Sequence, residues 1–188
     1  MTNKRESARY IRWFETLSND DVALVGGKNA SLGELYQQLV PAGVKVPNGF
    51  AITAEAFHHV LAQGDTLAAL RATLAELDPD DIGSLSTCGA RARAIIYGAG
   101  LPSDLQAEII TATAQLRAQY NGELSFAVRS SATAEDLPEA SFAGQHESFL
   151  NLRNDEALID ACRRCFASLF TNRAIHYRVD QGFDHFSV

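Results

Sequence analysis

The chain has 188 residues, of which 46% are hydrophobic and 21% charged, a composition typical of a folded globular protein and unlike that of a disordered one. Its formal net charge of −7 argues against nucleic-acid binding, because nucleic-acid binders usually carry a basic face. The absence of an apolar stretch of membrane-spanning length excludes the membrane class. The odd count of three cysteines, without a secretory leader, predicts reduced thiols in a cytoplasmic protein.

The beginning of the chain is predicted to lead into a short strand. Residues 1–12 form an expected polar lead-in, and the ordered part is expected to start at Trp13. The apolar run 22–25 ends in Gly26-Gly27, a pattern that predicts a strand followed by a tight turn.

A helix is predicted next, from the spacing of apolar residues that begins at Ala30. Ser31 and Glu34 have the spacing of a capping box, and Pro41-Ala42-Gly43 should end the helix. Residues 44–52 are predicted to be extended.

Residues 53–120 are predicted to be a helical block, because apolar residues recur there at spacings of three and four. After this block, 125–129 is a predicted strand and 148–152 its partner. A loop rich in small and polar residues joins them at 130–144. Two final helices are predicted from Asp155 onward.

Together these elements predict an α/β (α+β) fold with the helical block beside one mixed or antiparallel sheet. The strands of that sheet are expected near 22–25, 44–52, 125–129 and 148–152.

The first candidate site is the segment Gly26-Gly27-Lys28. Glycines let the backbone approach a phosphate closely, and a following helix N-terminus offers N–H groups and partial positive charge, to which Lys28 adds a full charge. The segment is not a P-loop, because Val22 stands where the first glycine should be. A glycine turn beside a solvated lysine is the alternative interpretation.

The second candidate is Arg129 at the end of a predicted strand, followed by hydroxyl side chains. The planar guanidinium fits phosphate oxygens, and hydroxyls can donate to the same anion. The hydroxyl candidates are Ser130, Ser131 and Thr133. The alternative is a structural salt bridge from Arg129 to Glu135 or Asp136.

The third candidate is the loop around Gly144. Small residues suit a flexible loop that folds over a ligand, and Gln145 and Ser148 belong to the same segment. A solvated hairpin loop is the alternative.

Other chemically suggestive residues are predicted to be structural. Cys162 and Cys165 have C-x-x-C spacing but lie on the apolar stripe of a predicted helix, which favours buried thiols over a zinc or redox site. His58-His59 is not expected to bind metal, since adjacent helical residues face different ways. A solvated or inter-domain face is expected for four arginines, Arg163, Arg164, Arg173 and Arg178.

The three candidate segments, in their order along the chain, resemble the N-terminal nucleotide-binding part of the pyruvate phosphate dikinase family. The most specific stretch is AVRSSATAEDLP, residues 127–138. The resemblance covers nearly the whole chain and includes residues 25–34, 46–53, 126–152, 167–175 and 177–185.

This resemblance implies which residues bind ATP. The family's Gly-Gly-Lys lysine and Val-Arg-Ser-Ser arginine, which bind ATP phosphates, correspond to Lys28 and Arg129. Its glycine of the Ser-Phe-Ala-Gly-Gln segment corresponds to Gly144, and the hydroxyl residue four positions further to Ser148. Related sequences often have threonine at that last position, and serine keeps the hydroxyl.

The resemblance also implies an architecture and a reaction. Residues 13–188 would form the first subdomain of an ATP-grasp domain, with a helical insertion at about 53–120. A phosphohistidine domain and a pyruvate-binding barrel would complete an enzyme that converts ATP, pyruvate and water to phosphoenolpyruvate, AMP and phosphate. Adenine contacts and Mg²⁺ ligands are expected beyond Val188, so the chain is expected to be a fragment.

Two other functions stay open on the sequence. One is the ATP-binding part of another dikinase-type phosphotransferase, such as a rifampin phosphotransferase. The other is a nucleotide-binding module without catalysis.

Overall fold

The computed structural model describes residues 8–120, 124–131 and 147–186, and the structural statements below concern these residues. Four short strands and eight α-helices follow one another in this part of the chain, with two 3₁₀ turns after the first strand. In chain order they are β1 Ile11–Trp13, the turns Phe14–Thr16 and Asn19–Asp21, α1 Val22–Val25, α2 Gly27–Leu39, β2 Phe50–Ile52, α3 Ala54–Leu61, α4 Thr66–Ala75, α5 Ile82–Ala99, α6 Ser103–Tyr120, β3 Phe126–Arg129, β4 Ser148–Leu152, α7 Asp155–Ser168 and α8 Asn172–Gln181.

The strands form two separate antiparallel pairs rather than the single sheet that the sequence predicted. β1 pairs with β2, with Ile11 opposite Ile52, and β3 pairs with β4, with Arg129 opposite Ser148. The pairing of β3 with β4 confirms that part of the prediction. Of the expected extended segment 44–52, only the last three residues form a strand, because β1 is three residues long and offers no longer partner.

The prediction of a strand at 22–25 was wrong, since these residues form helix α1. A run of four apolar residues fits either element, and the preceding turn decides between them. Ser18 caps that turn: its hydroxyl accepts from the Asp20 N–H, and its own N–H donates to the Asp21 carboxylate. Val22, the residue that follows this turn, already has a helical backbone conformation.

Ordered structure begins before residue 13, in contrast to the expected polar lead-in. Tyr10 and Ile11 are buried, and β1 starts at Ile11. The Glu108 carboxylate on α6 accepts from the backbone N–H groups of Arg9 and Tyr10 at 3.0 and 2.8 Å. One side chain almost a hundred residues away thus orders a segment whose own sequence carries little signal.

Helix α2 begins at Gly27, earlier than the predicted capping box. Ser31 lies inside the helix, and the Glu34 carboxylate accepts from the Asn19 N–H at 3.1 Å instead of capping α2. The helix ends at Leu39, just before Pro41, as the sequence predicted.

The predicted helical block is confirmed as α3 to α6, and it packs with the two final helices around the main core. Helix α5 contacts α4, α7 and α8, while α7 also contacts β3. One apolar cluster is centred on Phe57, Leu70, Ile96 and Phe170, and a second on Tyr10, Leu105, Ile109 and Leu158. No helix in the described ranges is both long and apolar enough to cross a membrane.

A smaller cluster fixes the start of α2 relative to the rest of the chain. Leu17, Val25, Ala30 and Ala51 are buried together. Gly33 allows the turn before α1 to approach, since a Cβ atom there would lie 2.5 Å from the Leu17 carbonyl oxygen. Helix α2 is thereby held against the turn before α1.

Arg178 is buried, which corrects the expectation of a solvated or inter-domain face. Only 1% of this residue is exposed. Its guanidinium donates to the Leu169 carbonyl and to His185 Nδ1, and it lies over the Phe170 ring. These partners compensate part of the cost of burying a cation.

Candidate functional site

The turn before α2 places Lys28 at the N-terminus of a helix. Gly26 has a φ of +78°, a conformation that glycine adopts without strain, and Gly27 is the first residue of α2. Gly27 is buried, whereas Lys28 is exposed in the first helical turn. Lys28 therefore belongs to the first turn of a helix, where partial positive charge favours an anion, and the anion site itself stays a prediction.

The end of strand β3 presents Arg129. This residue is exposed, and the half-buried Ser130 and Ser131 follow it directly. Antiparallel pairing sets Ser148, the first residue of β4, opposite Arg129. Two of the predicted ATP-binding residues are thus neighbours across one hairpin.

The Lys28 and Arg129 segments meet although about a hundred residues separate them in sequence. The Asn29 N–H donates to Ser131 Oγ over 3.3 Å. A Cβ atom added at Gly26 would lie 2.5 Å from the Ser131 carbonyl oxygen and 2.7 Å from its carbonyl carbon. The backbone of the Gly26 turn therefore touches the loop that continues from Arg129.

This contact brings together the segments that carry a lysine, an arginine, serine hydroxyls and a helix N-terminus. Such a set offers a mobile point charge, a planar fork and neutral donors, the groups that bind a polyphosphate. The described residues include no cluster of three His, Cys, Asp or Glu side chains suited to holding a metal ion.

Several predicted contributors lie outside the described residues. These are Thr133, Gly144 and Gln145, together with Glu135 and Asp136, the alternative salt-bridge partners of Arg129.

The roles of Gly26 and Asn29 have no signal in the sequence that would have revealed them. Gly26 was identified as part of a glycine turn, but its contact with Ser131 spans 105 positions and has no local signature. Asn29 follows the lysine where a P-loop would have a hydroxyl residue. It instead joins the two segments through its backbone N–H, and its side-chain amide donates to the Val25 carbonyl at 2.9 Å.

The two cysteines of the C-x-x-C spacing are buried on α7, as predicted. Burial raises the pKa of Cys162 to about 12, with a smaller contribution from Cys165. Burial and the nearby Glu147 charge raise the pKa of Cys165 to about 12. Both therefore stay protonated thiols at neutral pH, unsuited to nucleophilic chemistry.

The chain belongs to a nucleotide-binding family. It matches the family described as "Pyruvate phosphate dikinase, AMP/ATP-binding domain" over residues 22–188, which include all three candidate segments.

Individual relatives of this chain are phosphoenolpyruvate synthases. It is 50% identical to the phosphoenolpyruvate synthase of Helicobacter pylori over 181 residues, which are 96% of this chain and 22% of the relative. It is 48% identical to that of Escherichia coli over 97% of this chain and 23% of the relative. A probable phosphoenolpyruvate synthase of Methanocaldococcus jannaschii is 45% identical over 98% of this chain and 15% of the relative. The chain thus spans less than a quarter of the length of these curated relatives.

Proposed function

We propose that this chain is the ATP-binding part of a phosphoenolpyruvate synthase. Residues 13–188 would form the first subdomain of its ATP-grasp domain, with α3 to α6 as a helical insertion at about 53–120. The family match and three relatives at 45–50% identity support this assignment over a rifampin phosphotransferase or a module without catalysis.

The contact between the Gly26 turn and the loop after Arg129 is the observation that carries the proposal. A polyphosphate spreads its negative charge over several oxygens, so its site must gather cations from more than one segment. The Asn29–Ser131 hydrogen bond, which joins the Lys28 segment to the Arg129 segment, supports such a site, and the β3–β4 register adds the Ser148 hydroxyl opposite Arg129.

Each predicted residue has a distinct part in holding ATP. Lys28 neutralises phosphate charge as a point cation, and Arg129 grips two oxygens with its planar fork. Ser148 donates a hydrogen bond from the opposite strand. Gly144 lets the backbone of its loop approach the nucleotide, with Gln145, Ser130 and Thr133 as further donors.

These groups suit phosphoryl transfer, which needs positioning and charge neutralisation more than covalent help from the protein. In the proposed enzyme a phosphoryl group of ATP passes first to a histidine of a separate domain and then to pyruvate. A second phosphoryl group of the same ATP is transferred to water and leaves as phosphate, so the products are phosphoenolpyruvate, AMP and phosphate. Mg²⁺ ligands and adenine contacts would lie in sequence beyond Val188, and the enzyme would act in the cytoplasm.

The test uses the complete gene product with Lys28→Ala and Arg129→Ala. We expect each variant to bind ATP at least about tenfold more weakly in calorimetry, since each loses a charged phosphate contact. Labelling of the protein's own histidine from ATP should fall in parallel. Lys45→Ala and Arg91→Ala remove exposed cations elsewhere and should leave both measurements unchanged. Normal ATP affinity in both site variants would refute the proposal.

A further inference from the structure

The contact between Gly26 and Ser131 is tighter than ordinary packing between two loops. The Asn29 backbone N–H donates to Ser131 Oγ at 3.3 Å, and the Asn29 side chain donates to the Val25 carbonyl at 2.9 Å, across the Gly26 turn. Asn29 is therefore held on one side by its own turn and on the other by the distant loop.

Steric contact reinforces this hydrogen bond. At Gly26 the space toward Ser131 admits a hydrogen atom but no methyl group, because a Cβ there would meet the Ser131 backbone at 2.5 and 2.7 Å. Shortening the Ser131 side chain cannot relieve that collision, since the atoms approached include the Ser131 carbonyl group. The separation between the two segments is thus set by backbone against backbone.

We propose that Ser131 and Gly26 are positioning residues that fix the distance between Lys28 and Arg129. Lys28 lies two residues after Gly26, and Arg129 lies two residues before Ser131. If one segment moved away from the other, Lys28 and Arg129 could no longer bind one polyphosphate at the same time. The inference rests on the nucleotide site proposed above, and it gives Ser131 a role through Asn29 rather than through the ligand.

The chain offers matched controls for both residues. Ser84 Oγ accepts from the Asp78 N–H at 2.9 Å, the same kind of bond in a turn far along the sequence from the site. Gly43 has a φ of +84°, close to that of Gly26, but no atom lies within 4 Å of a Cβ added there. Ser84→Ala and Gly43→Ala therefore reproduce the local losses without moving the Lys28 and Arg129 segments.

The experiment measures thermal stability and the affinity for ATP and for inorganic tripolyphosphate in the complete gene product. We expect Ser131→Ala to lose about as much stability as Ser84→Ala, but to bind both ligands about three- to tenfold more weakly. Gly26→Ala should bind them more than about tenfold more weakly, whereas Gly43→Ala binds them normally. Ser131→Thr, which keeps the acceptor oxygen, should recover most of the lost affinity.

The outcomes separate this inference from the proposed function. Normal binding of ATP by Lys28→Ala and Arg129→Ala would remove the nucleotide site and the inference with it. Weakened binding by those two variants together with wild-type affinity in Ser131→Ala would overturn the positioning role alone. Weaker binding of ATP with unchanged binding of tripolyphosphate would also overturn it, because the contact between Gly26 and Ser131 is proposed to affect the phosphate contacts. If Gly26→Ala does not fold, the Ser131→Ala and Ser131→Thr pair still decides.

Discussion

Arg129 is an exposed side chain at the end of a short strand, so little of the fold depends on it. Its proposed contribution to phosphate binding is geometric. A guanidinium presents two parallel N–H donors to two oxygens, while an ammonium presents one point charge. Lys28, at the start of α2, supplies that second kind of charge. The two cations would therefore bind phosphate in different ways, Arg129 through paired donors and Lys28 through a single charge.

Arg129→Lys should separate charge from geometry. In the complete gene product we expect ATP-dependent histidine labelling to slow by at least about tenfold, with a smaller change in apparent ATP affinity, if the grip tightens as charge shifts during transfer. Thermal stability should be unchanged. Arg91→Lys, at an exposed ion pair with Glu76, is the control. Near-normal histidine labelling would contradict the phosphate-binding role and favour a structural salt bridge for Arg129.

Arg178 shows how a buried cation is accommodated. Burial lowers its pKa to about 10, and the charge of Asp184 opposes part of that shift. Burial and the Arg178 charge also lower the pKa of His185, again against Asp184. The Arg178 Nε–H donates to His185 Nδ1 at 3.1 Å, which requires that nitrogen to be unprotonated.

Folding stability should therefore fall in mild acid through His185. The pKa of this group is lower in the folded than in the unfolded chain, so its contribution is complete above the unfolded value of about 6.5 and is lost as the pH falls toward the folded value. His185→Asn keeps an acceptor but cannot titrate, so it should flatten the decline in the free energy of unfolding between about pH 7.5 and 5.5. Urea unfolding at the two pH values measures this difference in the free energy of unfolding.

The exposed His58→Asn is the control for that experiment and should retain the wild-type decline. An equally steep decline in His185→Asn would show that other groups cause the acid sensitivity.

At the scale of elements, α7 links the helical core to the β3–β4 hairpin. Its buried stripe includes Leu158, Ala161, Cys162 and Cys165. The thiols serve as small apolar side chains in this stripe, so they should contribute to stability and react slowly in the folded protein.

Cys162→Ala should cost about 1 kcal/mol of unfolding free energy and leave ATP affinity unchanged, because it removes one small buried group. In the native protein, Cys162 and Cys165 should resist iodoacetamide at mildly alkaline pH, since pKa values of about 12 leave almost no thiolate. Mass spectrometry before and after urea unfolding reads this out. Rapid native alkylation of either cysteine would contradict the burial.

Short elements depend on partners more than long ones do. Helices α5 and α6 carry enough periodic residues to be predicted, whereas α1 has four residues and β1 three. β1 exists because β2 pairs with its backbone and because the Glu108 carboxylate holds the backbone of Arg9 and Tyr10, directly before it. No local pattern encodes either partner.

At the scale of the whole molecule, the proposed nucleotide cleft is shared between this chain and further sequence. The purified 188-residue chain should then show no production of AMP from ATP and pyruvate, and at most weak ATP binding, because adenine burial and Mg²⁺ coordination would be missing. Calorimetry and an AMP assay test this, with the complete gene product as the positive control. Steady AMP production by the chain alone would overturn the proposed division.

The sequence by itself determined the helical block, the β3–β4 hairpin and the buried thiols, and it indicated the candidate phosphate-binding residues, which stay predictions. Each rests on periodicity or on a contiguous motif, which neighbouring residues encode. Only the tertiary structure decided that residues 22–25 are helical, that Tyr10 and Arg178 are buried, and that the strands form two separate pairs. It alone joined Gly26 to Ser131, because contacts between distant segments depend on how whole elements pack, and no local spacing records that.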